Sequence, residues 1–258
     1  MQLSEPRPTR SRRARRLTAT ALAATAVAAL ATGPAQAKNP TPEVVTSTQS
    51  GGKSVSFTFD DGPNGDDPYD AQDANETAAL LDVLRENRVK ATFCLWGDHV
   101  QQYPDLVRRI AAEGHTLCNH TMHHDFMGAK DPEAIRAELR ETSALIRSIV
   151  PNAKIPFFRA PYGDWGADGR VARVAAEEGM QPLGWRFVIS DWEPATAEQL
   201  AQRVRDQLTP GAVALMHDGG GDRTPTVDAV ATLIPELKAA GWHFSQPEIR
   251  VTTAETGR

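Results

Sequence analysis

Apolar residues along positions 54–258 recur at two spacings, which predicts strands alternating with amphipathic helices. Val55, Phe57 and Phe59 occupy every second position and predict a first strand. A stripe from Ile135 to Ile146 at helical spacing follows Asp131-Pro132 and predicts a helix with proline at its first position. Further strands are predicted at 90–96, 115–120, 155–159, 182–190, 212–217 and 242–244, and further helices at 73–84, 104–113, 170–178, 197–208 and 224–240. The first of these helices is expected to begin with a capping box at Asp73 and Glu76.

Strict alternation of strands and helices predicts parallel strand pairing through crossover helices, an α/β fold. Six or seven such units in about 200 residues favour an incomplete (β/α) barrel over an open sheet, although periodicity alone does not separate the two. In either fold the active site is expected in the loops at the carboxyl ends of the strands.

The first 37 residues have the pattern of an export signal. Six arginines between Arg7 and Arg16 precede an apolar run that ends near Ala31, and Ala35-Gln36-Ala37 forms an A-x-A cleavage site. The apolar run is too short to span a bilayer, so we expect cleavage after Ala37, secretion and no stable membrane anchor. The arginine pairs leave Sec and twin-arginine export both open. Residues 38–53, rich in Pro, Thr, Ser and Gly, predict a linker before the domain at 54–258.

Removal of this signal makes the chain more acidic. The net charge of the 258-residue chain is −5, and residues 1–37 contain six Arg and one acidic residue, so the remainder carries −10. An acidic chain of this kind argues against nucleic acid and anionic surfaces as partners, and a monomer is expected.

Cys94 and Cys118, the two cysteines of the chain, lie in successive predicted strands. In an exported protein they predict a cross-strand disulfide, with two buried thiols as the alternative.

Polar residues follow five of the predicted strands, at the ends that parallel pairing brings together. The segments are Asp60-Asp61-Gly62, His120 to His124, Arg159 to Gly163, Asp191-Trp192 and His217-Asp218. Two histidines with one carboxylate would give a three-ligand zinc site with an open position. Asp60 and Asp61 would point to opposite faces of a regular strand, and the Gly62-Pro63 turn is expected to redirect Asp61 to the same side.

These segments, in order, resemble the five motifs of the polysaccharide deacetylase family (carbohydrate esterase family four). The matching residues are Thr58-Phe59-Asp60-Asp61-Gly62-Pro63, His120-Thr121-x-x-His124, Arg159-Ala160-Pro161-Tyr162-Gly163, Asp191-Trp192 and Leu215-Met216-His217. The resemblance implies a distorted (β/α) barrel and hydrolysis of acetyl groups on sugar polymers with one divalent metal, Zn²⁺ or alternatively Co²⁺ or Mn²⁺.

The resemblance also implies a role for each residue. Asp61, His120 and His124 would hold the metal. Asp60 would be the general base, oriented by Arg159, and His217 the general acid, paired with Asp191. The backbone N–H of Tyr162 would hold the developing oxyanion, and Trp192 would line the sugar groove. The tryptophans could pack against sugar rings, but most of them are predicted to lie in the core, with Trp192 the exception.

Three positions depart from the family pattern. Asp125 stands where proline often follows the second histidine, and Val188 stands where an acidic residue often precedes the Asp-Trp pair. The presence of Val188 puts the predicted pairing of Asp191 with His217 in doubt. His123 lies next to His124, and spacing alone favours His124 as the ligand.

Other hydrolytic mechanisms fit the sequence less well. Neighbouring Asp60 and Asp61 are poorly placed for the two separated carboxylates of a glycosidase, and no G-x-S-x-G element for a serine hydrolase is present. The family resemblance implies deacetylation of N-acetylglucosamine units in chitin, chitooligosaccharide or peptidoglycan. An acetylxylan-type O-deacetylase and a catalytically silent carbohydrate-binding protein are the alternatives.

Overall fold

A computed structural model describes residues 42–65 and 75–250. The predicted export signal, its cleavage site and the first part of the predicted linker lie outside these residues. None of the helices in the described ranges combines the length and the apolar character needed to cross a membrane.

Strands and helices alternate through the described chain as the apolar spacing predicts. The strands are β1 (Ser54–Asp60), β2 (Thr92–Leu95), β3 (Thr116–Asn119), β4 (Phe157–Phe158), β5 (Gln181–Pro182), β6 (Phe187–Val188), β7 (Ala212–His217) and β8 (His243–Phe244). The helices are α1 (Glu76–Glu86), α2 (Gly97–Gln102), α3 (Pro104–Ala112), α4 (Pro132–Ile149), α5 (Arg170–Glu177), α6 (Ala197–Gln207) and α7 (Thr224–Ala239).

All paired strands are parallel and lie in the order β5-β4-β3-β2-β1-β7-β6, with β8 beside the start of β1. The sheet curls into a distorted, incomplete (β/α) barrel, so the predicted fold class is confirmed. β1 is buried along its whole length, because it lies at the centre of the sheet and its faces are covered. Its last residue, Asp60, lies in register with Cys94 of β2 and His217 of β7.

Residues 44–48 pack against the sheet, although the sequence analysis assigns them to a linker. Val45 is 1% exposed and its N–H donates to the carbonyl of Pro182 at 2.9 Å. The carbonyl of Thr46 accepts from Val213 N–H of β7 at 3.1 Å. This segment therefore satisfies a backbone carbonyl of β5 and a backbone N–H of β7.

Three element boundaries differ from the sequence-based predictions. The strand predicted at 182–190 is interrupted, so β5 and β6 are separate two-residue strands. The short helix α2 has no sequence-based counterpart. α1 begins at Glu76 behind the N-cap Asn75, whose side chain accepts from Ala78 N–H at 3.3 Å, whereas the predicted cap Asp73 lies outside the described residues.

Cys94 and Cys118 lie opposite each other in β2 and β3 and form a disulfide, with their Cα atoms 4.2 Å apart. The predicted bridge is therefore confirmed. It lies in a small buried cluster with Val45, Phe157 and Leu183, apart from the main core.

Candidate active site

The five sequence motifs meet around one cavity of about 450 Å³ at the carboxyl ends of the strands. Seven of the nine predicted site residues line it: Asp60, Asp61, His120, His124, Tyr162, Trp192 and His217. The other two, Arg159 and Asp191, are buried and contact Asp60 and His217 respectively. The tertiary structure therefore brings all nine residues together.

Asp60 and Asp61 face the same side because the backbone leaves the strand geometry between them. Asp61 has φ 69°, a left-handed conformation that an aspartate adopts only in special turns. His99, a residue that the sequence analysis does not single out, donates from Nδ1 to the carbonyl of Asp61 at 2.7 Å and holds this turn. The predicted redirection is present, and the turn lies at Asp61 itself rather than at Gly62-Pro63.

Asp61, His120 and His124 each point one ligand-type atom into the cavity, and the three atoms lie within 4.8 Å of one another. Oδ1 of Asp61 lies 3.3 Å from Nε2 of His120 and 3.1 Å from Nε2 of His124. The same buried oxygen has no hydrogen-bond partner within the part of the chain that the structure describes. One carboxylate oxygen and two imidazole nitrogens around an unsatisfied position fit a divalent metal such as zinc.

The outer nitrogens of both imidazoles are occupied, which leaves Nε2 of each ring for a ligand. Nδ1 of His120 donates to the carbonyl of Arg159 at 2.8 Å. Nδ1 of His124 lies 3.1 Å from the hydroxyl of Tyr162. His120 is itself buried, and contacts of this kind fix the ring orientation of metal-binding histidines.

His123 turns away from this cluster although it lies between the two histidines in sequence. Its Nδ1 lies 3.3 Å from Oε1 of Glu138, a buried carboxylate of α4 that also accepts from Met122 N–H at 3.0 Å. Asp125 pairs with Lys130 at 2.9 Å on the surface. The geometry thus agrees with the choice of His124 rather than His123 as a metal ligand. Glu138 holds the loop that carries both histidines.

Arg159 anchors Asp60 from beneath the cavity. Its guanidinium is fully buried and donates from Nη1 to Oδ1 of Asp60 at 2.7 Å. It also donates to Thr58 Oγ1 and to the carbonyls of Leu183 and Gly184. Because Arg159 is itself held by these bonds, it fixes the orientation of the Asp60 carboxylate. The other oxygen of this carboxylate, Oδ2, lies 3.8 Å from Nε2 of His120.

His217 lies at the end of β7, opposite the cluster, and is held by Asp191. Oδ1 of Asp191 lies 2.7 Å from Nδ1 of His217, and Oδ2 accepts from the backbone N–H of the same residue at 2.8 Å. Burial lowers the pKa of His217, but the hydrogen bond and the charge of Asp191 outweigh it, so the pKa is raised. The pairing that Val188 put in doubt is present, with Nε2 of His217 left free of Asp191.

Arg223 is a site residue that sequence reasoning missed. Its side chain donates to three carbonyls, from Nε to Gly219 at 2.9 Å, from Nη1 to Asp191 at 2.8 Å and from Nη2 to Gly220 at 2.7 Å. A Cβ on Gly220 would lie only 2.9 Å from Oδ2 of Asp61, so this glycine loop packs directly against the metal-type cluster. An arginine two residues beyond a glycine run carries no motif by which the sequence could have revealed it.

Aromatic rings line the rim of the cavity. Tyr162 and Trp192 are 61% and 52% exposed, and Trp192 packs edge-on against His217 with ring centroids 5.4 Å apart. Trp185, which the sequence analysis places in the core, also lines the cavity. Trp165 and Trp242 pack against the core but are only partly buried, and the core prediction is wrong for Trp185.

Comparisons with known proteins identify relatives of this chain. The family model described as "Polysaccharide deacetylase" matches residues 47–183. A chitooligosaccharide deacetylase of Rhizobium leguminosarum bv. trifolii is 38% identical over 201 residues, which cover 74% of this chain and 88% of that protein. Among solved structures, the Bc1960 peptidoglycan N-acetylglucosamine deacetylase superposes with a TM-score of 0.69 at 29% identity, covering 79% of this chain and 89% of that one. A family-four pseudoenzyme of Bacillus anthracis, BA3943, superposes with a TM-score of 0.69 at 26% identity, covering 81% of this chain and 68% of that one.

Proposed function

The chain belongs to the polysaccharide deacetylase family, and from that membership and the geometry of the site we propose that it is a metal-dependent hydrolase of acetylated glycans. Its substrates are proposed to be N-acetylglucosamine units of chitooligosaccharides or peptidoglycan, the glycans named for its relatives. The observation that carries the proposal is one cavity with a metal-type triad at its centre, an anchored carboxylate on one side and a histidine–aspartate pair on the other.

Asp61, His120 and His124 are proposed to hold a divalent metal, zinc first and cobalt or manganese as alternatives. Such a metal would supply a water of lowered pKa and would polarise the acetyl carbonyl.

Asp60 is proposed to take the proton from the attacking water, since Arg159 directs its carboxylate to the cavity. The backbone N–H of Tyr162 is proposed to donate to the acetyl oxygen as negative charge develops there. His217 then donates a proton from Nε2 to the leaving nitrogen. The raised pKa of His217, caused chiefly by Asp191 against the effect of burial, keeps this proton available.

We further propose that the protein is exported after cleavage behind Ala37 and acts on glycan outside the cell. The disulfide between Cys94 and Cys118 supports this proposal because such bonds persist in oxidising compartments. An N-terminal sequence that begins at Lys38 in protein recovered from the medium would be the expected result. Retention of the first 37 residues would contradict it.

The experiment measures acetate released from chitotetraose, peptidoglycan and acetylxylan, first after chelation and then after zinc, cobalt or manganese is restored. Release from the N-acetylated glycans that returns with metal is expected. Faster release from acetylxylan would make the protein an O-deacetylase. Glycan binding without release under any metal would make it a silent relative of the kind represented by BA3943.

A matched pair of variants tests the metal site. His124→Gln removes a nitrogen of the triad, whereas His123→Gln changes the neighbouring residue that faces Glu138. We expect the first variant to lose zinc affinity by at least about 100-fold and the second to keep it. Equal zinc binding by both variants would refute the ligand assignment.

A further inference from the structure

We propose that Thr77, in the first turn of α1, is a positioning residue that holds the turn of Asp61 and the loop of His217 in their mutual arrangement. The Thr77 side chain is fully buried and does not line the catalytic cavity. It therefore acts on the proposed reaction through other residues and not by contact with substrate. This inference rests on the proposed function, because it gives Thr77 the task of aligning the proposed metal site with the proposed general acid.

The hydroxyl of Thr77 connects the two loops directly. Its oxygen accepts from the backbone N–H of Asn64, three residues after Asp61, at 2.8 Å. Its proton is donated to Oδ2 of Asp218, the residue that follows His217, at 2.6 Å. One hydroxyl thus uses its single donor on the loop after β7 and accepts from the turn after β1.

The side chain of Asp218 depends on this hydrogen bond. Asp218 is fully buried, and its other oxygen, Oδ1, has no hydrogen-bond partner within residues 42–65 and 75–250. A buried carboxylate that loses a donor keeps the cost of its desolvation without the compensating bond. Removal of the Thr77 hydroxyl therefore favours a shift of the Asp218 side chain.

The Asp218 carboxylate packs against the main chain next to Asp61. A Cβ added to Gly62 would lie 2.2 Å from Oδ2 of Asp218, so only a residue without a side chain allows this approach. The backbone N–H of Asp218 also donates to the carbonyl of Asp60 at 3.1 Å. A shift of the carboxylate would therefore displace the turn that carries Asp61 and the neighbouring His217.

Glu76, the residue before Thr77, links the same two loops by a second route. Its buried carboxylate accepts from Nδ2 of Asn64 at 2.8 Å through one oxygen, and from the backbone N–H of Arg223 at 3.2 Å through the other. The sequence analysis assigns Glu76 to a capping box, whereas these contacts join the loops after β1 and β7. Two consecutive side chains that join the same loops indicate that the start of α1 sets the spacing between them.

Thr77→Val tests the inference, because valine has the shape of threonine and lacks its hydroxyl, whereas Thr77→Ser keeps the hydroxyl. Thr92→Val is the matched control, since Thr92 is also fully buried but begins β2 at the opposite end of the sheet, with its Oγ1 3.4 Å from Oε1 of Gln246. For each protein we measure zinc affinity by competition with a chromogenic chelator, kcat and KM for acetate release from chitotetraose, and the melting temperature.

We expect Thr77→Val to bind zinc about tenfold more weakly and to lose ~10- to 100-fold in kcat with little change in KM, because contacts behind a ligand tune metal affinity and small displacements of reacting groups slow the reaction. Thr77→Ser and Thr92→Val should keep the zinc affinity and kcat of the unaltered protein. A merely structural threonine would lower the melting temperature and leave the zinc affinity of the folded protein unchanged.

A folded Thr77→Val protein with unaltered zinc affinity and kcat would overturn the inference and leave the proposed function intact. If Thr77→Val does not fold, Thr77→Ala is compared with Thr77→Ser in the same assays. Loss of folding in Thr77→Ala as well would also refute the inference, because Thr77 would then serve the fold alone. An absence of acetate release by the unaltered protein would instead contradict the proposed function, and the zinc affinities would still decide the role of Thr77.

Discussion

Substitution of Asp191 by asparagine tests the proposed general acid most directly. The two carboxylate oxygens of Asp191 accept three hydrogen bonds, from Nδ1 and the backbone N–H of His217 and from Thr226 Oγ1 at 3.0 Å. Asparagine offers one carbonyl oxygen and an NH₂ group of the same shape. Whichever way the amide is turned, its NH₂ group faces at least one donor, and the negative charge beside the imidazole is gone.

The number of hydrogen bonds lost gives the expected fall in kcat/KM. Loss of one hydrogen bond to a charged group corresponds to ~1.5–3 kcal/mol, which is a fall in kcat/KM of about 10- to 150-fold. If the NH₂ group faces Nδ1, the imidazole takes the wrong tautomer, and the full contribution of a general acid, ~10²–10⁴-fold, is lost. We therefore expect a fall in kcat/KM between those limits.

The pH dependence separates this mechanism from simple structural damage. Asp191 raises the pKa of His217 against the effect of burial, and the acid form of His217 is the one that protonates the leaving group. In Asp191→Asn that pKa falls, so the alkaline limb of the kcat/KM profile should move to lower pH. The deficit should accordingly be largest at alkaline pH and smallest at acidic pH.

The assay is acetate release from chitotetraose between about pH 5 and 10, with Thr226→Val as the control. That control removes one hydrogen bond that a neutral hydroxyl donates to Asp191 and keeps the carboxylate charge beside His217, so its alkaline limb should not move. An Asp191→Asn protein that is folded, binds metal and keeps both the rate and the alkaline limb of the unaltered protein would refute the acid assignment.

Three further predictions follow from the same contacts. Asp60→Asn should lower kcat by ~10²–10⁴-fold while metal content, measured by elemental analysis, is unchanged; normal turnover with metal bound would show that Asp60 is not the base. Arg223→Lys should lower kcat about tenfold with little change in KM, because one ammonium cannot reach the three carbonyls that the guanidinium spans, and full activity would exclude a positioning role. Replacing Cys94 and Cys118 by alanine should lower the free energy of unfolding by about 3.5 kcal/mol in urea titrations, given the 24-residue separation, and an unchanged midpoint would contradict this stabilisation.

Much of the candidate site could be predicted because its residues occupy the ends of strands. Parallel pairing brings those ends to one edge whatever the loop conformations are, so Asp60, His120 and His217 were bound to lie near one another. The role of Arg159 was found only through the family resemblance, since an arginine after a strand carries no signal that it turns inward to a carboxylate 99 positions away. Arg223 and His99 were missed because their contacts are to backbone carbonyls, which no residue pattern marks.

The sequence by itself determined the alternation of strands and helices and the motif residues, because apolar periodicity and residue type act locally along the chain. The barrel and the disulfide were predicted with an open sheet and two thiols as alternatives, and the tertiary structure decided between them. Spacing favoured His124 as the ligand, and the tertiary structure decided how it faces Asp61, through a positive φ of 57° at His124. The tertiary structure also decided that residues 44–48 pack against β5 and β7, and that Trp185, which lies between β5 and β6, lines the cavity. These outcomes depend on unsatisfied backbone groups and left-handed turns, whose positions are set only when distant segments of the chain pack together.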